Sequence, residues 1–325
     1  MRKIEDYIRL AEEAVEGIRL PERPAGLYAP IAYGLSNGGK RLRPALLLAA
    51  CEAAGGDCRE AMNQAAAVEM FHNFTLLHDD VMDNADLRRG KPTVCRKWDN
   101  NTAILSGDTM LTLATRLLTS GTAPEKAVRL LGIFNQAAIG VYEGQQYDME
   151  FESRNDVSIE EYIDMIRLKT SVLLGCSARL GAEMGGADRK QGDALYGFAM
   201  NLGISFQLQD DWLDVYGDSE VFGKAIGGDI LNNKKTYLLI KALELAKGSD
   251  REELLGWLEK QDAEPDRKIK AVTAIYDRLG IGKICREAIE SYNAEALRHL
   301  EQSGLDSDAV AFFKDFDSMV MNRNK

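Results

Sequence analysis

Several residue types and patterns are scarce in this chain, and each absence removes a class of protein. Only five cysteines occur in 325 residues. Cys51, Cys58, Cys95, Cys176 and Cys285 are scattered, odd in number and without the paired spacing of a zinc site, so they are read as reduced, mostly buried thiols. No apolar run approaches the roughly 20 residues of a membrane span; Ala45–Ala50 is soon followed by Glu52 and the Gly55-Gly56 break. Positive charge is outweighed, with a net charge of -11, which argues against general nucleic-acid binding. The first residues, Met1 to Tyr7, become charged too early for a secretory signal, so the expected location is cytoplasmic. Strand-type alternation is missing, and no Gly-x-Gly-x-x-Gly unit follows a strand. The expected class is therefore all-α, ten or more helices around a central cavity, and 325 residues allow one large helical domain or two smaller ones.

What is present centres on His78 to Thr93. Asp79, Asp80 and Asp83 stand at i, i+1 and i+4, followed by Arg88, Arg89, Gly90 and Pro92. On a helix, Asp79 and Asp83 lie one turn apart on one face, close enough to bracket a divalent cation. Hard oxygen ligands favour magnesium, which takes its remaining ligands from water and phosphate. Arg88 and Arg89 suit the same phosphate through bidentate bonds. An acidic helix face followed by a basic turn is the bland alternative. Asp210, Asp211 and Asp214 repeat the spacing later in the chain, after Phe206 and Gln207, which makes coincidence a poor explanation.

Between these clusters lie further signals. Tyr33 to Pro44 is glycine-rich and basic, ending in Lys40-Arg41-Leu42-Arg43-Pro44, and reads as a loop feeding a helix over Ala45–Ala53. Such a loop is either an anion site at a helix start or a solvated turn. Cys58 to Asp83, Thr102 to Leu118, Ala127 to Glu152 and Asp193 to Tyr216 read as helices. Ser158 with Glu161 forms a capping box ahead of Lys169-Thr170, where a mid-helix cation beside a hydroxyl fits either an anion contact or plain exposure. A glycine-rich stretch, Phe222 to Ile230, leads to Asn232-Asn233-Lys234-Lys235 and reads as a lid bearing Lys224 and Lys234. Tyr237 to Lys325 shows no site-like cluster, places turns at Gly248-Ser249, Gly280 and Gly304, and is expected to pack an outer layer.

In this order, these motifs resemble the trans-isoprenyl diphosphate synthases, or polyprenyl synthetases, from about Tyr33 to Leu239. The resemblance implies an all-helical homodimer of the isoprenoid synthase fold that joins isopentenyl diphosphate to an allylic diphosphate and releases diphosphate. It implies that Lys40, Arg43, His72 and Arg89 hold isopentenyl diphosphate, and that Arg88, Gln145, Lys169, Thr170, Gln207, Lys224 and Lys234 surround the allylic diphosphate. Asp79, Asp83 and Asp210 would ligate three magnesium ions, supported by Asp80, Asp211 and Asp214. Asp79, Asp80, Asp83, Arg88, Lys169, Asp210 and Lys224 are thus the expected catalytic set. Where many members carry a histidine shortly after the Arg-Arg-Gly turn, this chain has Cys95.

Phe74, with Phe71 and Thr75 beside it, is placed to act as a floor for the growing product; the alternative is that the rings are plain core. The resemblance to short-chain makers implies a fifteen- or twenty-carbon product. A terpene cyclase is disfavoured by the second aspartate motif and the Gly-Gly-Lys-Arg-Leu-Arg-Pro run. A non-catalytic regulatory subunit of a heteromeric synthase is disfavoured because both acidic motifs are kept.

Overall fold

The computed structural model describes residues 1–217, 226–260 and 262–322. Among them, helices dominate and a single two-residue hairpin is the whole of the sheet, which confirms the all-α reading. Within the described residues no helix is long and apolar enough to cross a membrane. Contacts group the chain into two compact units.

The first unit comprises Met1–Gln136, Cys176–Tyr196 and Ser303–Phe312. Its Leu42–Ala53 helix is apolar all round from Pro44 to Cys51, and every residue from Ala45 to Cys51 is buried. A helix without a polar face must be enclosed by others. Gly181 and Gly185, one turn apart, allow this: a Cβ at either would stand 2.1 Å from the Leu47 carbonyl oxygen or 2.2 Å from that of Cys51. Backbones therefore meet where side chains would ordinarily hold them apart. The long Met62–Met82 helix, preceded by a tight turn at Cys58–Ala61, lies against the Asn100–Thr119 helix. At Gly107 the His78 ring occupies the space a side chain would need.

Two expectations are corrected here. Tyr33 to Ser36 belongs to the Ala25–Ser36 helix instead of the loop, and the next helix begins at Leu42 instead of Ala45, which makes Pro44 its third residue. Proline is tolerated there because the first N–H groups of a helix have no intrahelical partner. The Arg-Arg-Gly turn is an antiparallel hairpin, Leu87–Arg88 with Lys91–Pro92, where strand was not expected.

The second unit comprises Ala137–Gly175, Gly197–Gln302 and the residues from Phe313 onward. Ser158 and Glu161 form the expected capping box on the Ile159–Ile166 helix. The chain then widens into a π-helical turn, Arg167–Ser171, before the Val172–Gly185 helix. Contrary to expectation, Tyr237 to Ile240 is core and not an outer layer: these four residues are buried with Leu208, Leu254, Ile275 and Tyr276. Gly248 and Ser249 open the Gly248–Glu259 helix and do not form a turn.

Candidate active site

In the first unit the acidic motif closes a helix. Asp79 and Asp80 occupy the last turn of Met62–Met82, Asp83 is the residue that ends it, and the Asp83 N–H donates to the Asp79 carbonyl at 2.8 Å. Asp79 is half-buried and Asp83 exposed, one turn apart as the spacing required. Asp80, one position round the helix, is 3 % exposed and turns inward. Its Oδ1 accepts from both Nε and Nη2 of Arg88 at 2.7 Å. Burial pushes the Asp80 carboxyl up from its ordinary range, and the Arg88 charge opposes that shift. Asp80 thus holds an arginine in place.

Arg88 is carried on the hairpin. Arg89 and Gly90 form its two-residue loop with φ of 53° and 75°, the left-handed pair that matches the twist of the flanking strands. Glycine adopts this freely, whereas Arg89 is held there, its guanidinium donating to the Gly38 carbonyl and lying over Gly39. Thr93 closes the hairpin base onto Ala85, and the Tyr33 hydroxyl donates to the Pro92 carbonyl at 2.8 Å. Cys95 is buried beneath, its thiol 3.6 Å from the Asp80 carbonyl.

The basic loop supplies further positive charge. Lys40 is exposed; Arg43 sits with one guanidinium nitrogen 3.4 Å from Nε2 of His72. Burial first, and then Arg43, Arg89, Arg88 and Arg41, hold the His72 pKa well below its ordinary value, so the ring is neutral near pH 7. Its Nε2 therefore accepts from Arg43. Burial also lowers the pKa of Arg43 and Arg89, while Glu69 opposes both shifts. Glu69 was not singled out in the sequence. It is 3 % exposed, accepts from Arg41 Nη1 at 2.5 Å and from Asn73 at 3.1 Å, and is the buried counter-charge of the cluster.

Phe71 and Phe74 pack with ring centroids 5.5 Å apart. Phe71 also meets Phe134 edge-on, and Phe74 meets His78 at 4.8 Å. Thr75 donates to the His72 carbonyl at 2.8 Å.

In the second unit the acidic motif again turns its middle carboxylate inward. Asp210 is half-buried, whereas Asp211 is 3 % exposed and accepts from the Tyr162 hydroxyl, from Gln207 at 3.3 Å and from the Tyr237 N–H at 3.3 Å. Burial lifts the Asp211 pKa to about 7 against the lowering effect of Lys234, the Tyr162 hydroxyl and the Tyr237 N–H. Asp214 accepts the Asp229 N–H at 2.9 Å and so fixes the start of the short Gly228–Leu231 helix. Thr170 donates to Gln207 at 3.3 Å, and Lys169 pairs with Asp148 at 2.5 Å.

The π-helical turn carrying Lys169 and Thr170 is seated by two glycines. A Cβ on Gly144 would stand 2.2 Å from the Lys169 nitrogen, and one on Gly203 would stand 2.7 Å from Ser171 Oγ. Gln145 follows directly on Gly144. Lys234 lies 3.8 Å from Asp229. Burial depresses its pKa, but Asp229, Asp211, Asp148 and Asp214 together raise it more, so it is firmly cationic. Lys224 lies outside the described residues.

The donor set suits magnesium. Among the described residues no three or more His, Cys, Asp or Glu side chains form a closed cage. Magnesium rarely takes one, binding through one or two carboxylates and keeping water and phosphate for the rest. The Asp79 and Asp83 pair, beside an arginine cluster able to receive that phosphate, is such a set.

A family model described as polyprenyl synthetase matches residues 24–276. The chain is 40% identical over 299 residues to a geranylgeranyl pyrophosphate synthase of Geoglobus acetivorans, covering 92% of this chain and 91% of that one. It is 36% identical over 297 residues to a short chain isoprenyl diphosphate synthase of Methanothermobacter thermautotrophicus, covering 91% and 88%. A crystal structure of a geranylgeranyl pyrophosphate synthase superposes over 100% of both chains with a TM-score of 0.95 at 44% identity. The chain belongs to the polyprenyl synthetase family of prenyltransferases.

Proposed function

We propose that this enzyme condenses isopentenyl diphosphate with an allylic diphosphate, head to tail, giving a fifteen- or twenty-carbon product and inorganic diphosphate. The observation that carries the reading is the cluster of Arg43, Arg88, Arg89 and neutral His72, set against only two buried carboxylates, Glu69 and Asp80, on the elements that also carry Asp79 and Asp83. A site so positive in a chain so acidic is built for a strongly anionic group.

In this reading Lys40, Arg43, His72 and Arg89 bind the diphosphate of isopentenyl diphosphate. Arg88, Gln145, Lys169, Thr170, Gln207, Lys224 and Lys234 bind the allylic diphosphate. Asp79, Asp83 and Asp210 ligate magnesium, three ions per site. When bound, magnesium offsets the negative charge that builds on the departing diphosphate. The allylic carbon–oxygen bond breaks and its electron pair leaves with the diphosphate. The double bond of isopentenyl diphosphate attacks the resulting cation, forming one carbon–carbon bond, and a proton passes to the displaced diphosphate. Water must be excluded, since it would trap the cation as an alcohol.

Phe74, backed by Phe71 and next to Thr75, serves as the floor that ends elongation. The geranylgeranyl relatives support a product near twenty carbons. We further propose one isoprenoid synthase domain over residues 1–325, a cytoplasmic location and a homodimer. The exposed Ile104 and Leu105 on the Asn100–Thr119 helix support the last of these.

The test incubates purified protein with magnesium, labelled isopentenyl diphosphate and dimethylallyl, geranyl or farnesyl diphosphate, followed by chromatography of the dephosphorylated alcohols. Label is expected in a C15 or C20 alcohol. No incorporation with any of the three primers refutes the proposal. Asp79→Ala and Asp210→Ala should each abolish turnover while keeping the helical circular dichroism of the parent.

A further inference from the structure

Lys268 is the one buried lysine among the described residues, 4 % exposed. It lies in the first turn of the Pro265–Leu279 helix, where the N–H dipoles disfavour a cation. Burial lowers its pKa, and among the described residues no carboxylate pairs with it. Its ammonium donates instead to two neutral oxygens, the Leu231 carbonyl at 3.2 Å and Asn233 Oδ1 at 2.7 Å. Those acceptors belong to one turn. Leu231 ends the Gly228–Leu231 helix, and Asn233 follows with φ of 51°, a left-handed conformation in which its side-chain nitrogen donates to the Leu258 carbonyl at 2.9 Å.

The next residue is Lys234, whose N–H donates to the Asp229 carbonyl at 3.0 Å. The same helix also braces the start of this segment: Ile269 Cδ1 stands 2.6 Å from where a Cβ of Gly227 would be. Gly227 to Lys234 is thus held at its start by Asp214 and Ile269 and at its end by Lys268. A buried cation disfavoured by both burial and dipole, yet spent on one left-handed turn, is there to fix the residue that follows.

We propose that Lys268 is a positioning residue for Lys234: it locks the Leu231–Asn233 turn so that the Lys234 ammonium is presented to the allylic diphosphate. Lys268 touches no substrate. The inference rests on the allylic role proposed above for Lys234.

The test compares the parent with Lys268→Met, which keeps the aliphatic stem, Lys268→Arg, and Asn233→Ala, which removes one acceptor. Lys268→Met should raise KM for the allylic diphosphate about tenfold, the loss of roughly one charge-assisted hydrogen bond, with KM for isopentenyl diphosphate within twofold of the parent. Lys268→Arg should recover part of that loss. Asn233→Ala should show the same selective effect, and the double variant should lose less than the sum of the two singles, because they share the Lys268–Asn233 contact. A folded Lys268→Met with unchanged allylic KM overturns the inference, as do parallel losses for both substrates. Calorimetry with inorganic pyrophosphate and magnesium separates the two proposals. A parent that binds pyrophosphate but condenses nothing refutes the prenyltransferase reading, while the affinity ratio of parent to Lys268→Met still decides the role of Lys268.

Discussion

Replacing Glu69 with Ala should destabilise the protein far more than the loss of an ordinary ion pair. The side chains of Arg41 and Glu69 are 7% and 4% exposed, so both charges are out of water. An exposed pair of this kind is worth about 0–1 kcal/mol, whereas removing one partner of a buried pair leaves an uncompensated charge and costs about 3–5 kcal/mol. Asn73 loses an acceptor as well, worth about 1 kcal/mol. The expected loss is therefore about 4 kcal/mol, measured as a lower urea midpoint at constant m-value. Because the pair is buried, the loss should be nearly the same at low and high salt. Converting both partners, Arg41→Met with Glu69→Leu, should recover part of it, since Arg41 is then no longer orphaned although Arg43 and Arg89 still lose the Glu69 charge. A loss below about 1 kcal/mol for Glu69→Ala, or one that vanishes in high salt, would refute the view that this pair is a desolvated anchor of the basic loop.

The His72 pKa is depressed in the fold and ordinary in the unfolded chain, so the unfolded state binds the extra proton as pH falls below about 6.5. Stability should accordingly be full above that pH and decline below it, by about 1.4 kcal/mol at one unit lower, and His72→Gln should remove this part of the slope in urea titrations. Phe74→Ala should lengthen the product by at least one five-carbon unit; an unchanged alcohol distribution on thin-layer chromatography would count against Phe74 as the floor. Gly144→Ala places a methyl 2.2 Å from the Lys169 nitrogen, so it should cost about 3 kcal/mol and raise the allylic KM, readable by thermal melting and initial rates. A variant melting with the parent would show that the π-helical turn can shift at little cost.

Much of this architecture was legible in the sequence because it follows from period. Apolar residues three and four apart gave the long helices, and a hydroxyl three residues before a carboxylate gave the Ser158 cap. The hairpin was not legible, since its strands are two residues each and Arg89 is an unusual occupant of a left-handed loop position. The π-helical turn escaped for a similar reason. Nothing in Arg167 to Ser171 encodes it locally; room for it comes from glycines far away in the chain, Gly144 and Gly203. Lys268 and Glu69 were missed because a charged residue on a helix reads as solvated until its surroundings are known.

The two acidic motifs, set side by side, show what their shared spacing is for. At i, i+1 and i+4 the outer carboxylates fall on one face, and the middle one is turned about 100° round the helix. Both middle residues, Asp80 and Asp211, are 3 % exposed, and each grips a separate element: the Arg88 hairpin in one case, Tyr162 and the Tyr237 backbone in the other. The pattern therefore divides labour within one turn of helix. The outer face carries the carboxylates proposed above to ligate magnesium, and the inner carboxylate fastens the scaffold that carries the basic or aromatic neighbour. Substituting Asp by Asn at either middle position keeps the shape and removes the charge. Asp80→Asn should accordingly loosen Arg88 and weaken allylic binding, whereas Asp79→Asn should act on the magnesium dependence of the rate. Identical magnesium titrations for these two variants would show that the three carboxylates act as one cluster and that the division does not exist.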